Sequence, residues 1–235
     1  MCGKYILAQA AKAELAMGIR RGRWEYPVSY RVLPSEQVPV VTLASGEREA
    51  AMMRWGLIPH WAGGVPLKAS TINATVERID SAPSYRDPWR RAQRCIFVMA
   101  GFYEPHVNAD GSRDPYFLQL TDREVFGVAG LWERSQRADG SYVFSAALVT
   151  LPANKLLAEV HNDKQRMPAI LAQADHDAWL GRDAQAARAT LRPYPDELMR
   201  AHLVSRRVNS PKLPNDASLI VPVHKPEELP LLPEL

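Results

Sequence analysis

Two Asp-Gly pairs, Asp110-Gly111 and Asp139-Gly140, constrain this chain's fold more than any other feature of its sequence. VMAGFYE and YFLQL flank the first pair, and VFGVAGLWE and YVFSAALVT flank the second. Asp-Gly supplies the positive φ that a tight hairpin needs, so the middle of the chain reads as antiparallel β. β-Branched or apolar runs at 29–33, 38–43, 50–55 and 95–104 add further strands. Helical patterns occupy 8–17, closed by Gly18, then 83–94 and 153–161. Across 173–201 they read as several short helices started by Asp175, Asp183 and Asp196. Without regular βαβ alternation the predicted class is α+β: a mainly antiparallel or mixed, barrel-like sheet with short flanking helices. Residues 1–222 read as a single domain and 223–235 as a proline-broken tail.

Composition narrows the function classes. With 46% hydrophobic and 23% charged residues the chain excludes disorder and collagen-like repeats. Two cysteines exclude a disulfide framework and a multi-cysteine zinc site, and favour a reducing compartment such as the cytoplasm. The N-terminal apolar run is cut by Lys12 and Glu14, unlike a signal peptide, and no stretch has the length of a membrane span. A net charge of +3 neither demands nor forbids a polyanionic partner.

Cys2 is the first chemical candidate. Removal of Met1 before so small a residue is expected, and it leaves an amine and a thiol on one residue, a 1,2-aminothiol. Its amine can condense with an aldehyde to an imine that the sulfur closes to a thiazolidine; alternatively, the thiol attacks an acyl carbon with the amine as base. By position alone, Cys2 could equally be a second residue of no consequence. Cys95, between Arg94 and Ile96, reads as a buried small hydrophobe.

MCG at the start, RWGLIPHW at 54–61, TINA at 71–74, GFYE at 101–104, VHNDKQRMPAIL at 160–171 and VSRRVNSPKLPNDASLI at 204–220 occur in this order. Together they resemble the SOS response-associated peptidase (SRAP) family, proteins that crosslink to abasic sites in DNA. The resemblance implies that Cys2 crosslinks and that Asn73, Glu104 and His161 complete the catalytic set. Each has a plain alternative. Asn73, expected in a loop-like stretch, can hold a sugar hydroxyl or be a turn residue. Glu104 can be a poised acid/base or a rim charge. His161, closing a helix, can carry protons near neutral pH or act as a cap.

DNA contacts follow from charge and from the resemblance. Residues 78–94 hold five arginines, including Arg86 and Arg90, and further basic clusters lie at 1–23 and 200–212. Such clustering is the footprint of phosphate contact, although any one cluster can be a solvated face. Trp61, beside a glycine pair, is placed to stack on an unpaired base, and Pro34 matches a family position that wedges against DNA. Lys4, Thr75 and Arg166 complete the expected DNA-binding set. The family's usual arginines are replaced by Lys4 and Thr75, and the tryptophan that usually follows the glutamate is Pro105; these changes touch the grip on DNA rather than the crosslinking quartet, so the chemistry is expected to survive with altered affinity or lesion context.

The expected function is an abasic-site sensor that binds single-stranded DNA or single/double-strand junctions. It forms a covalent thiazolidine crosslink by lyase-like Schiff-base chemistry, after Met1 is lost by its own peptidase activity or to an aminopeptidase. No metal or organic cofactor is expected, nor a membrane; the chain is expected to be a monomer, nucleoid-associated when bound to DNA. The alternatives are an N-terminal-cysteine glutamine amidotransferase and a passive single-strand-binding module.

Overall fold

Gly111 and Gly140 adopt φ of +79° and +85°, and both hairpins close where the Asp-Gly pairs predict. A computed structural model describes residues 2–224. Strand β1 (Tyr5–Leu7), helix α1 (Ala10–Met17) and strands β2 (Ser29–Val32), β3 (Gln37–Ala44) and β4 (Glu47–Trp55) come first. They are followed by β5 (Asn73–Thr75), α2 (Arg86–Arg90), β6 (Arg94–Met99), β7 (Gly101–Val107) and β8 (Arg113–Leu120). The rest comprises β9 (Phe126–Gln136), β10 (Tyr142–Pro152), α3 (Lys155–Val160), β11 (Arg166–Pro168), β12 (Ile170–Leu171), α4 (His176–Leu180), α5 (Ala184–Ala189) and β13 (Met199–Leu203).

The strands make two sheets. In the larger, β4, β3, β6, β9 and β10 are each paired to the next, and β10 returns to pair in parallel with β4, closing a barrel. β5 adds to β10, also in parallel, with Asn73 opposite Leu148. The second sheet is antiparallel, in the order β13-β8-β7-β1-β2. One apolar cluster joins them: Tyr5, Phe102 and Leu118 of the second sheet pack with Val40, Trp55 and Phe97 of the barrel. The Tyr5 and Trp55 rings meet edge-on at 5.2 Å. The α+β, barrel-like reading holds.

Several boundaries differ from the sequence reading. The run 95–104 is two strands in different sheets. Its break is at Ala100, whose N–H bonds the Ile6 carbonyl at 3.0 Å. A Cβ on Gly101 would overlap the Phe117 ring, so the close approach there needs glycine. The helix expected over 83–94 is only Arg86–Arg90, and Ala92, at φ +55°, turns the chain into β6. Of the three predicted caps only Asp183 caps with its side chain, accepting from Gln185 and Ala186 N–H. The expected helix reaching residue 201 gives way to β13, because pairing with β8 satisfies its backbone. The predicted tail 223–235 lies outside the described residues except at Val223 and His224; the Val223 N–H bonds the Leu203 carbonyl at 2.9 Å.

Candidate active site

Cys2 lies three residues before β1, which pairs with β2 and β7 and so brings Cys2 to the interior of the second sheet. Glu104 lies on β7, on the same face as Phe102, which joins the main core, while Tyr103 faces the other side. Glu104 and Cys2 therefore point between the two sheets, both 1% exposed. Asn73 arrives from the barrel side on β5. It lies in a strand rather than the loop the sequence implied, because its segment is paired to β10. Its Nδ2 donates to the Cys2 carbonyl at 2.9 Å. Tyr85 Oη in turn donates to the Asn73 carbonyl at 3.0 Å.

His161 closes α3 as its C-cap, its N–H bonded to the Leu157 carbonyl at 2.8 Å. The helix is set by Asn154, whose side chain accepts from Leu157 N–H at 2.9 Å. Asn162 fastens the following loop to β7: its Oδ1 accepts from Val107 N–H and its Nδ2 donates to the Val107 carbonyl, both at 2.9 Å. These contacts place His161 Nδ1 3.5 Å from Glu104 Oε2 and Nε2 3.5 Å from Asp163 Oδ1. Nδ1 is also 3.1 Å from the Arg166 carbonyl, an acceptor, which makes Nδ1 the protonated nitrogen.

Burial dominates the electrostatics. It pushes the Glu104 carboxyl up to about 8, against the lowering pull of Lys4 and other nearby positive charge. Burial lowers His161 from its ordinary value. Burial and the Glu104 charge raise the Cys2 thiol well above its usual range, and its Sγ donates to the Lys4 carbonyl at 3.7 Å. At neutral pH the pocket thus holds a protonated carboxyl, a neutral imidazole and a thiol. A cavity of about 330 Å³ lined by Gly3, Lys4, Glu104, Pro105 and Arg113 reaches this group at Glu104. Among the described residues no cluster of histidine, cysteine and acidic side chains has the form of a metal site.

The four predicted catalytic residues therefore converge from four separate segments. The predicted DNA contacts are more dispersed. Lys4 lines the cavity, its Nζ 2.6 Å from Asn209 Oδ1. Arg166, on β11, is held by Glu77 at 2.6 and 3.0 Å and donates to the Thr150 carbonyl, so a phosphate there must compete with an ion pair. Thr75 is half-buried on β5 opposite Thr150. Pro34 is half-buried at the β2–β3 turn, and Trp61 is 53% exposed in the 3-10 turn His60–Ala62. Arg86 and Arg90 are at the surface on α2, whereas Arg94 of the same cluster is 2% exposed and cannot meet phosphate in the way the cluster implied. Tyr85, Asn162 and Asp163 escaped sequence reasoning: Tyr85 and Asn162 act through the backbone of other segments, and Asp163 faces His161 two residues before it, so only the Asn-Asp pair following His161 gave a local sign.

The SOS response associated peptidase (SRAP) family model matches residues 1–211. The abasic site processing protein YoqW of Bacillus subtilis is 32% identical over 80% of this chain and 84% of its own. YoaM of the same organism, also named an abasic site processing protein, is 30% identical over 94% of this chain and 97% of its own. A crystal structure of a protein from Bacteroides thetaiotaomicron superposes with a TM-score of 0.83 at 25% identity, covering 95% of this chain and all of that one.

Proposed function

We propose, for a chain that belongs to the SOS response associated peptidase (SRAP) family, that it senses abasic sites in DNA and captures them covalently through Cys2. The observation that carries this reading is the buried convergence of Cys2, Asn73, Glu104 and His161, with Glu104 also lining a cavity edged by Lys4 and Arg113. Loss of Met1 frees the Cys2 amine. The amine attacks the aldehyde carbon of the ring-opened sugar, the carbinolamine expels water, and a C=N bond forms. The thiol then adds across that bond: sulfur bonds to carbon and its proton passes to nitrogen, closing the thiazolidine. One water is released and no oxidant or reductant is needed. No imine remains to promote strand cleavage, so the crosslink shields the lesion.

Each side chain has a part in this sequence. Asn73 Nδ2 fixes the Cys2 carbonyl and so orients the amine and thiol. Its buried Oδ1, without a hydrogen-bond partner among the described residues, is free to accept from a sugar hydroxyl. Glu104, held protonated, donates the proton that lets hydroxide leave as water. Neutral His161, whose Nδ1 lies 3.5 Å from Glu104 Oε2, relays protons as the imine forms and reverses. Lys4, Arg166 and Thr75 border the strand, with Trp61 and Pro34 shaping it. A single strand or a single/double-strand junction suits this arrangement better than an intact duplex, whose bases are not free to stack on protein.

Incubation of the mature protein with single-stranded DNA carrying an abasic site, followed by denaturing electrophoresis, tests the reading. Wild type gives a covalent adduct, and Cys2→Ala or retention of Met1 abolishes it. An undiminished adduct with Cys2→Ala overturns the mechanism. Glutaminase activity without an adduct identifies an amidotransferase instead, and salt-sensitive binding lost on denaturation identifies a passive binding module.

A further inference from the structure

The β9–β10 hairpin carries more exposed aromatic surface than a solvated hairpin needs. Beyond Leu131, the last residue of β9 opposite β6, Trp132 N–H still bonds the Gln93 carbonyl at 2.9 Å, and from Glu133 on the ladder of β9 among the described residues is with β10. Strict alternation buries Glu133, Ser135, Val143 and Ser145 and turns Trp132, Arg134, Tyr142 and Phe144 outward. Tyr142 is 44% and Phe144 43% exposed. The rings form a surface: Trp132 and Phe144 lie 6.3 Å apart, tilted by 32°, and the Arg134 guanidinium sits 4.6 Å over the Tyr142 ring.

Two cavities, of about 470 and 510 Å³, meet at Arg91, Gln93 and Trp132. The second is lined by Arg90, Arg91, Arg94 and Arg182, with no acidic side chain. The first has a single acid, Glu133, itself 1% exposed and already contacted by His60, Arg91 and Gln93. The result is a trough positive along one stretch and aromatic along the next. That pattern matches a polyanion with flat, unpaired bases, whereas the nearby Arg86 is paired with Asp87, which also lies 4.0 Å from Arg91.

We propose that this trough is a second binding groove for unpaired nucleotides flanking the lesion. Their phosphates pair with Arg90, Arg91 and Arg182, and their bases stack on Trp132, Tyr142 and Phe144. The inference rests on the abasic-DNA reading and extends it to residues outside the Cys2 pocket. β10 joins the two places: Asn73 lies opposite Leu148, four positions beyond Phe144, which is ~14 Å along the strand. A strand held in the pocket and in the trough spans only a few nucleotides between them.

The test uses fluorescent single-stranded oligonucleotides of ~6 and ~20 nucleotides bearing a stable tetrahydrofuran abasic analogue that cannot crosslink. Anisotropy is expected to show at least ~10-fold tighter binding of the longer probe by wild type. Tyr142→Ala/Phe144→Ala removes most of that gain. Arg182→Gln lowers the salt dependence for the longer probe by ~0.7 in log–log slope, one released counterion. Crosslinking of a short probe with a true abasic site stays at the wild-type level in both variants. A length gain and salt slope unchanged in both variants overturn the groove, even where the Cys2 crosslink forms. A missing crosslink with wild type overturns the Cys2 reading and leaves the length gain to judge the groove independently.

Discussion

Glu104 is the residue on which the chemistry turns, and its behaviour follows from where the fold puts it. As the fourth residue of a strand whose neighbours are apolar, it is 1% exposed, and burial raises it to about 8. A carboxyl raised in the folded state favours folding in its protonated form. That contribution is full below the ordinary carboxylate value and is lost as pH climbs through about 8. Glu104→Gln, which keeps the shape without the charge, is therefore expected to gain on wild type in thermal stability from about pH 5 to about pH 9, reaching up to a few kcal/mol. Equal pH dependence of the two melting curves would contradict it. The same variant lowers the crosslinking rate, by roughly 100-fold for a lost general acid, and removes the alkaline limb of the pH–rate profile. Cys2 and Glu104 were legible as candidates because their residue types carry chemistry. Their protonation states were not, since burial and neighbours belong to the folded molecule.

Elements set which basic residues can meet DNA. The cluster at 78–94 reads as one charged face, yet α2 ends at Arg90 and β6 begins at Arg94, so its members diverge. Arg94 turns inward: Nε donates to the Trp179 carbonyl at 2.8 Å, Nη1 to the Trp89 carbonyl at 3.4 Å and Nη2 to the Gly181 carbonyl, with the Trp89 ring 5.1 Å beneath. It ties α2, β6 and the end of α4 together. Arg94→Met leaves those carbonyls without their donor and is expected to cost ~2–4 kcal/mol in chemical denaturation, whereas Arg90→Gln at the surface costs little. A loss under ~1 kcal/mol for Arg94→Met contradicts this role. The hairpins were readable because Asp-Gly turns are local. The strand β13 was not, because its residues are helix-tolerant and only pairing with β8 decides their conformation.

At the scale of the molecule, one core runs through both sheets, and the candidate site sits where they meet. This continuity predicts a single unfolding transition. Trp55 and Trp132 report on the barrel, and the strands of the second sheet contain no tryptophan. Tryptophan fluorescence and far-ultraviolet circular dichroism are expected to give coincident thermal midpoints; separate midpoints mean that the sheets fold as two units. The amino-acid sequence by itself determined the hairpins, the short helices, the barrel-like α+β class, the reactive second residue and, through its ordered motifs, the family. These depend on local backbone preference and on residue chemistry, which act over a few positions. Only the tertiary structure decided that Asn73 holds the Cys2 carbonyl, that Glu104 is kept protonated beside His161, and that Arg94 is buried while Arg90 faces a trough with Trp132. Those facts depend on desolvation and on contacts between segments tens of residues apart, which exist only once the two sheets have packed.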